Sequence, residues 1–242
     1  MVEFIPAENL KQKFSVFGHF YSIELGQRIR VDCRSVLEIV ETAHSPQNTS
    51  AISGNQPDAL FIMMNPGSSR PLVEVNNRIQ ARSIHDLAIS LVPAKPDTTQ
   101  YQVMRVMHLC KWRHVRILNL SDLRSPKSND FYKQFMALEQ EHKFEAHSIF
   151  ADQRSAELTL KLPGGIPVIR AWGVSPNLEP LIDRCIARLP RTMTVSGLMK
   201  GGTKNKFFHP LPSLQSQKLE WVNRIVKLLS RVRSVSQSGP ER

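Results

Sequence analysis

One stretch of the sequence restricts the fold more than any other. It is the apolar run Leu60-Phe61-Ile62-Met63-Met64, followed directly by Asn65-Pro66-Gly67. An apolar run of this length that stops at turn residues is typical of a strand buried on both faces, as in the centre of an α/β sheet. Proline fixes one backbone angle and glycine permits a sharp bend, so the strand ends abruptly. Because ligands of open α/β sheets bind outside such carboxyl ends, we predict that Asn65 stands beside a binding site.

Three later segments have the same pattern of a strand that ends in polar or special residues. Together with the stretch that precedes Asn65, these segments give four predicted strands, over residues 58–64, 115–120, 166–172 and 192–195. Stretches of helical periodicity lie between them, and strand–helix–strand order implies right-handed crossovers and parallel pairing. The sequence therefore predicts an α/β fold with a central parallel sheet of about four strands flanked by helices. The strand ends are expected to converge on one cleft.

The first 56 residues are expected to form an extension packed on this sheet. Alternating apolar residues between Phe17 and Val31 flank Gly26-Gln27, which indicates a hairpin. The apolar residues of 36–40 are spaced as on a helix face and predict a helix. Because we find no internal repeat and no convincing linker, we predict a single domain over residues 1–233 and a disordered tail over 234–242.

Charge and cysteine content limit the partners and cofactors that we expect. Lysine and arginine number 32 against 21 aspartates and glutamates, which gives a formal net charge of +11. This excess favours DNA as a partner, because bound cations release counterions from a phosphate backbone, although a merely basic surface accounts for the charge equally well. The three cysteines lack metal-binding spacing, so we expect reduced thiols and neither a metal nor a cofactor. No apolar run is long enough to cross a membrane, and we expect a cytoplasmic monomer.

The ordered motifs Asn65-Pro66-Gly67, Asn119-Leu120-Ser121, Trp172-Gly173 and His209-Pro210-Leu211 resemble those of the uracil-DNA glycosylase superfamily. The first is most similar to the mismatch-specific uracil and thymine glycosylase branch, whereas the last resembles the classical uracil enzymes. A related group of uncharacterised bacterial and phage proteins has similar motifs. The resemblance covers residues 60–213 in short islands. It implies a uracil-DNA-glycosylase-like fold and a monofunctional DNA glycosylase.

The resemblance also implies roles for individual residues. Asn65 and His209 would be catalytic, the first by orienting a water through its carbonyl oxygen and the second by donating a hydrogen bond to the base. Asn119, as a donor and an acceptor, would read a pyrimidine edge after base flipping. The other substrate-binding candidates are Met64, Pro66, Gly67, Ser68, Trp172 and Gly173. The DNA-binding candidates are Arg70, Lys200, Lys204, Lys206 and an apolar loop with Leu211, Ser213 and Leu214, which would fill the gap left by the flipped base.

Each of these residues also has a purely structural interpretation. Asn65 can cap a turn, Asn119 can satisfy loop backbone, and His209 can be a hydrogen-bonded structural histidine. Trp172 is more often a core residue than a stacking platform. The sequence offers no clear equivalent of the aromatic residue that stacks on the flipped base in the glycosylase superfamily.

Gly67 bears on the substrate, because classical uracil enzymes carry a bulky aromatic there that rejects substituted pyrimidines. A roomier pocket predicts excision of modified, even bulky, pyrimidines, with restriction of phages that carry modified DNA as the role. Repair of uracil or mismatched thymine is the alternative. Two other classes stay open: a catalytically silent nucleic-acid-binding module, and a nucleotide-processing enzyme in which the loop 197–202 cradles phosphate.

Overall fold

A mixed β-sheet runs through the centre of the protein, with helices on both of its faces. The computed structural model describes residues 4–26, 29–45, 49–212 and 214–237, with side chains to Arg231. Within these residues the strands are β1 (Phe14–Leu25), β2 (Ile29–Glu41), β3 (Ala59–Met63), β4 (Arg70–Pro71), β5 (Arg78–Gln80), β6 (Val92–Lys95), β7 (His114–Asn119), β8 (Val168–Ala171) and β9 (Val195–Ser196). The α-helices are α1 (Ala7–Lys13), α2 (Thr49–Gly54), α3 (Thr98–Cys110), α4 (Ser128–Gln140), α5 (Ser155–Lys161), α6 (Glu179–Arg188) and α7 (Gln215–Gln237).

The predicted parallel strands form one half of this sheet. The strand order is β4-β6-β1-β2-β7-β3-β8-β9, with β5 paired to β1, and the four strands β7, β3, β8 and β9 are parallel. The first three predicted strands are confirmed, whereas the fourth is reduced to Val195–Ser196. The α/β class is confirmed, but the described residues hold nine strands rather than about four, and the sheet is mixed.

The additional strands come mainly from the amino-terminal hairpin. β1 and β2 pair along their whole length, and β2 lies antiparallel to β7, with Leu37 opposite Ile117. The hairpin is thus part of the central sheet, and the helix predicted over 36–40 is wrong. Apolar residues occur on both faces of β2 because both faces are buried, and Val36, Leu37, Ile39 and Val40 also satisfy helical spacing. Gln27, in the predicted turn, lies outside the described residues.

Two hydrophobic cores occupy the two faces of the sheet. In β3, Leu60 and Ile62 point to the core closed by α4, α5 and α6, whereas Phe61 and Met63 point to the core closed by α1, α3 and α7. All four side chains are less than 5% exposed. Burial of a side chain of this size contributes about 1.5–3 kcal/mol, so this strand is a major anchor of both layers.

The parallel strands end in register, which creates the predicted cleft. Met63 is paired with Asn119 on one side and with Ala171 on the other. The chain crosses from β3 to β7 on one side and then to β8 on the opposite side, which makes this edge a topological switch point. Asn65, Asn119 and Gly173 consequently leave the sheet at one place.

The carboxyl-terminal helix extends further than expected. α7 continues to Gln237, so residues 234–237 of the predicted tail are helical, and 238–242 lie outside the described residues. Among the described helices, none combines the length and apolar character needed to cross a membrane.

Candidate functional site

A cavity of about 320 Å³ opens where the parallel strands end. The predicted residues that line it are Met64, Asn65, Pro66, Gly67, Asn119, Trp172, Gly173, His209 and Leu211. They come from four segments that are far apart in sequence, so the fold brings both predicted catalytic residues and most predicted substrate-binding residues together. The predicted residues outside its lining are Ser68, Arg70, Lys200, Lys204, Lys206 and Leu214.

The Asn65 side chain is fixed in one orientation. Its Nδ2 donates to the carbonyl oxygens of Leu123 at 3.2 Å and Ser125 at 2.8 Å. Both amide protons are therefore engaged, and Oδ1 is left as an acceptor. Asn65 thus binds the backbone of the loop after β7, a role that was considered for Asn119 and not for Asn65, and also presents an oxygen suited to orienting a water.

The segment that carries His209 is held by backbone contacts from three directions. The Phe207 oxygen accepts from the Gly173 N–H at 2.8 Å, and the Phe208 oxygen accepts from the indole of Trp221 at 3.0 Å. Gln102 donates to the Pro210 oxygen at 3.2 Å. The backbone on either side of His209 is therefore held by the segment after β8, by α7 and by α3.

The local hydrogen bond also sets the tautomer of His209. Its Nδ1 accepts from the Leu211 N–H at 3.2 Å, so in the neutral ring the proton is on Nε2. Burial lowers the pKa of His209 to about 4, although the Leu211 contact opposes this shift. At neutral pH the ring is uncharged and Nε2 is a donor, as a group that stabilises a departing base requires.

Asn119 has an unexpected partner at the floor of the cavity. Arg34, from β2, also lines the cavity and donates from Nη2 to the Asn119 Oδ1 at 2.8 Å. Among the described residues, Asn119 Nδ2 and the Arg34 Nε and Nη1 are buried without a hydrogen-bond partner. The Asn119 Oδ1, which was expected to accept a hydrogen bond from a base, is already bonded to Arg34. The floor of the cavity therefore offers hydrogen-bond donors from Asn119 and Arg34.

Sequence analysis missed Arg34 because it lay between the predicted hairpin and the predicted helix. In the structure β2 continues through Arg34 and lies beside the segment after β7. Cys33 and Leu123 form an isolated antiparallel β-bridge, and the Arg34 N–H donates to the Asp122 carbonyl oxygen at 2.8 Å. An arginine within the mostly apolar stretch 31–40 was the available signal, because a charge in a doubly buried strand needs a specific reason.

Asp97 supplies a carboxylate to the cavity wall. It caps α3 by accepting from the Gln100 N–H at 2.9 Å, and burial raises its pKa. Burial lowers the pKa of Arg34 to about 10, against the opposing charges of Asp97 and Asp122. The guanidinium is therefore protonated at neutral pH.

Gly67 adds no side chain to the cavity wall. Its φ of +61° favours glycine, and a Cβ placed there would be in ordinary contact with the Asp97 Oδ2 at 3.7 Å. A larger residue at 67 would therefore carry backbone strain and would lie against the Asp97 carboxylate.

Two aromatic residues in the wall have different roles. Trp172 is fully buried, donates from Nε1 to the Asn205 oxygen at 2.8 Å and packs edge-on against Phe207, so its indole belongs to the core. Tyr132, from α4, lines the cavity, and its hydroxyl lies 3.8 Å from the Met64 sulfur. Tyr132 is thus the candidate stacking ring that the sequence analysis did not identify.

The predicted DNA-binding residues lie around the cavity rather than in it. Lys200 and Lys204 are exposed, whereas Lys206 is paired with Glu179 at 2.7 Å. Arg70 and Ser68 are exposed, and Leu214 is 60% exposed. Ser213 lies outside the described residues.

Packing explains one glycine of the loop 197–202. A Cβ on Gly197 would lie 2.5 Å from the Phe207 ring and 2.6 Å from the Arg170 oxygen. The close contact with Phe207 leaves no room for a side chain at this position. Packing therefore accounts for Gly197 without a role in binding phosphate.

A serine–histidine–glutamate chain lies in the layer of α4. His147 Nδ1 is 2.8 Å from the Ser121 Oγ, and its Nε2 is 2.9 Å from the Glu139 Oε1. Burial lowers the pKa of His147, whereas hydrogen bonds from His147 and Arg184 outweigh burial and lower the pKa of Glu139 to about 2. Ser121 and His147 are fully buried, so a substrate cannot reach this hydroxyl and the chain is structural.

Comparisons of the chain with protein-family models, with curated proteins and with solved structures find no match. Within the described part of the chain, no group of three or more His, Cys, Asp or Glu side chains is arranged to hold a metal ion.

Proposed function

We propose that the protein is a DNA glycosylase that hydrolyses the N-glycosidic bond of a modified pyrimidine. The observation that carries this proposal is the pairing, in one cavity, of a fixed acceptor on Asn65 with a donor on neutral His209. Hydrolysis of a glycosidic bond needs these two groups, one for the attacking water and one for the departing base. The motif order that resembles the uracil-DNA glycosylase superfamily supports the same function.

The reaction proceeds in the cavity after the target nucleotide is flipped out of the DNA. The C1′–N bond breaks with its electron pair on the base, which is stabilised by the His209 Nε2–H. Water oriented by the Asn65 Oδ1 adds to C1′ and loses a proton to solvent, and the base anion takes up a proton. Because a neutral amide is a poor general base, stabilisation of the leaving group dominates and we expect a slow enzyme.

The substrate class follows from the cavity wall. Gly67 adds no side chain to this wall, so the bulk that would exclude a substituent on the pyrimidine ring is absent at this position, which favours modified bases. Restriction of phages with modified DNA is the corresponding role. Excision of uracil or mismatched thymine is the second candidate, because the same acceptor and donor would serve it. In either case the proposal has Lys200 and Lys204, which are exposed, contact DNA phosphates.

Single-turnover release of abasic sites tests the proposal. Duplexes would carry uracil, thymine opposite guanine, 5-hydroxymethylcytosine or a glucosylated pyrimidine, and cleaved strands would be counted after alkali treatment. We expect release from at least one modified base, and a loss of at least about tenfold in Asn65→Ala and in His209→Ala, with little change in DNA affinity. Asn76→Ala and His142→Ala, at exposed positions, are the matched controls.

Other outcomes separate the competing functions. Full release by either cavity variant would remove the role assigned to that residue. DNA binding without release from any duplex would indicate a silent binding module. Activity on free nucleotides would indicate a nucleotide-processing enzyme, and release of unmodified uracil alone would overturn the modified-base assignment.

A further inference from the structure

We propose that Arg34 and Asn119 form a donor floor that holds the pyrimidine as an anion, with Arg34 as a catalytic residue that takes the negative charge of the departing base. The reaction step rests on the proposed glycosylase function. The anion-binding floor is a property of the cavity itself. Arg34 lies outside residues 60–213, where the sequence resembles known glycosylases, so only the structure assigns it.

The geometry leaves three donor atoms unused at the floor. Arg34 is 2% exposed and Asn119 is 1% exposed. One guanidinium nitrogen of Arg34 holds the Asn119 Oδ1 at 2.8 Å, which turns the Asn119 amide so that Nδ2 is its remaining group. Nε and Nη1 of Arg34 and Nδ2 of Asn119 have no partner among the described residues. Buried donors in folded proteins are nearly always paired, so these three indicate a missing acceptor.

The charge of the floor identifies that acceptor as anionic. Among the described residues, no carboxylate forms an ion pair with Arg34 within 4.0 Å, although Asp97 and Asp122 are near enough to influence it. A buried cation without a hydrogen-bonded counter-charge destabilises the empty protein. Occupation of the cavity by a group that carries negative charge removes this cost.

Glycosidic cleavage supplies such a group at the moment of reaction. The electron pair of the C1′–N bond passes to the ring nitrogen and, in a uracil-type base, spreads over the two exocyclic oxygens. The planar fork of Arg34 and the amide of Asn119 donate to these acceptors. The interactions strengthen as the bond breaks, which is the condition for lowering the barrier rather than only binding substrate.

A series of leaving groups tests the catalytic role. Uracils with different 5-substituents, from 5-fluoro to 5-methyl, leave as anions of decreasing stability. In Arg34→Met we expect release of the poorest leaving group to fall by about 10²–10³-fold, as for loss of an oxyanion donor, and release of the best to fall much less. Arg34→Lys keeps the charge but not the fork, and should recover part of the rate. A merely structural role would lower all rates equally, and that result would overturn the inference.

Binding of 5-nitrouracil, a pyrimidine acidic enough to be largely anionic near neutral pH, tests the floor without any reaction. We expect the wild-type protein to bind it and Arg34→Met to bind it at least about tenfold more weakly, with Asn76→Ala unchanged. Circular dichroism would verify that each variant is folded. If Arg34-dependent binding occurs but no base is released from any duplex, the glycosylase proposal fails and the anion floor stands. Two other results would contradict the anion-binding floor. One is base release whose dependence on the leaving group is the same in Arg34→Met as in the wild-type protein. The other is an affinity for 5-nitrouracil that does not change in Arg34→Met.

Discussion

Two buried arginines lie on either side of Asp122, and their surroundings differ sharply. Arg154 donates to the Asp122 carboxylate at 2.5 Å, to both Glu157 oxygens at 2.9 Å and to the Ala146 carbonyl at 3.3 Å. Arg34 donates a backbone N–H to the Asp122 carbonyl, and among the described residues its side chain has a hydrogen bond to Asn119 alone. Both arginines are 2% exposed. Equal burial thus accompanies a guanidinium with all three nitrogens bonded in one case and a guanidinium with two unpaired nitrogens in the other.

The difference separates a charge with paired nitrogens from one to which we assign a ligand. Burial raises the pKa of Asp122 to about 6 even though Arg154 opposes it, so at neutral pH the pair is ionised and depends on its mutual contacts. Attraction between Arg154 and its two carboxylates offsets the desolvation of these groups. Arg34 has no carboxylate within hydrogen-bonding distance among the described residues, and under our proposal a ligand in the cavity supplies the missing partner.

The largest expected effect is the difference in stability between the two methionine variants. Arg154→Met leaves the Asp122 carboxylate buried without its cation and should lower the free energy of unfolding by about 3–5 kcal/mol. Arg34→Met should change the free energy of unfolding by no more than about 1 kcal/mol. Loss of the hydrogen bond to Asn119 destabilises the protein, whereas removal of an unpaired buried charge stabilises it, and the two effects largely cancel. Urea unfolding of the two variants measures both. A similar large loss in each would place Arg34 among the structural residues.

Histidines in the two regions extend the comparison to pH. His147 has partners on both ring nitrogens, whereas His209 lines the cavity and accepts a hydrogen bond on Nδ1. Because the pKa of His209 is lowered to about 4, the neutral donor persists above that value and is lost as the pH falls through it. We expect base release to be level from about pH 8 to about pH 5, without the step near 6.5 of an ordinary histidine. A step near 6.5 that disappears in His209→Ala would contradict this protonation state.

The smallest expected effect is on DNA affinity, and it compares exposed and ion-paired lysines around the cavity. Lys200 and Lys204 are exposed, whereas Lys206 is engaged by Glu179. Replacing Lys200 and Lys204 with glutamine should weaken DNA binding for all sequences and flatten the dependence of log affinity on log salt by up to about 0.9 per lost phosphate contact. Lys206→Gln should change the slope less. Fluorescence anisotropy at several salt concentrations measures these slopes, and an unchanged slope in the double variant would place the DNA path elsewhere.

Sequence periodicity could not place the hairpin. Val36, Leu37, Ile39 and Val40 are compatible with a helix face and with a doubly buried strand, and the choice between them depends on what covers each face. β2 is covered on both, and Glu38 within it is accommodated by Arg116 at 2.7 Å and His114 at 2.8 Å. Those partners lie in β7, far along the chain, so no local pattern reveals them.

The sequence by itself determined three central strands and the meeting of Asn65 and Asn119 at one cavity. It did so because apolar runs that stop at turn residues mark buried parallel strands, and parallel strands send their carboxyl ends to the same edge. His209 follows no such strand directly, and only the motif resemblance predicted that it would join them. Only the tertiary structure decided which atoms those side chains present. The Asn65 oxygen, the His209 Nε2–H and the unpaired donors of Arg34 each depend on partners contributed by other segments. Hydrogen-bond partners of buried polar groups are fixed by long-range packing, which neither composition nor spacing encodes.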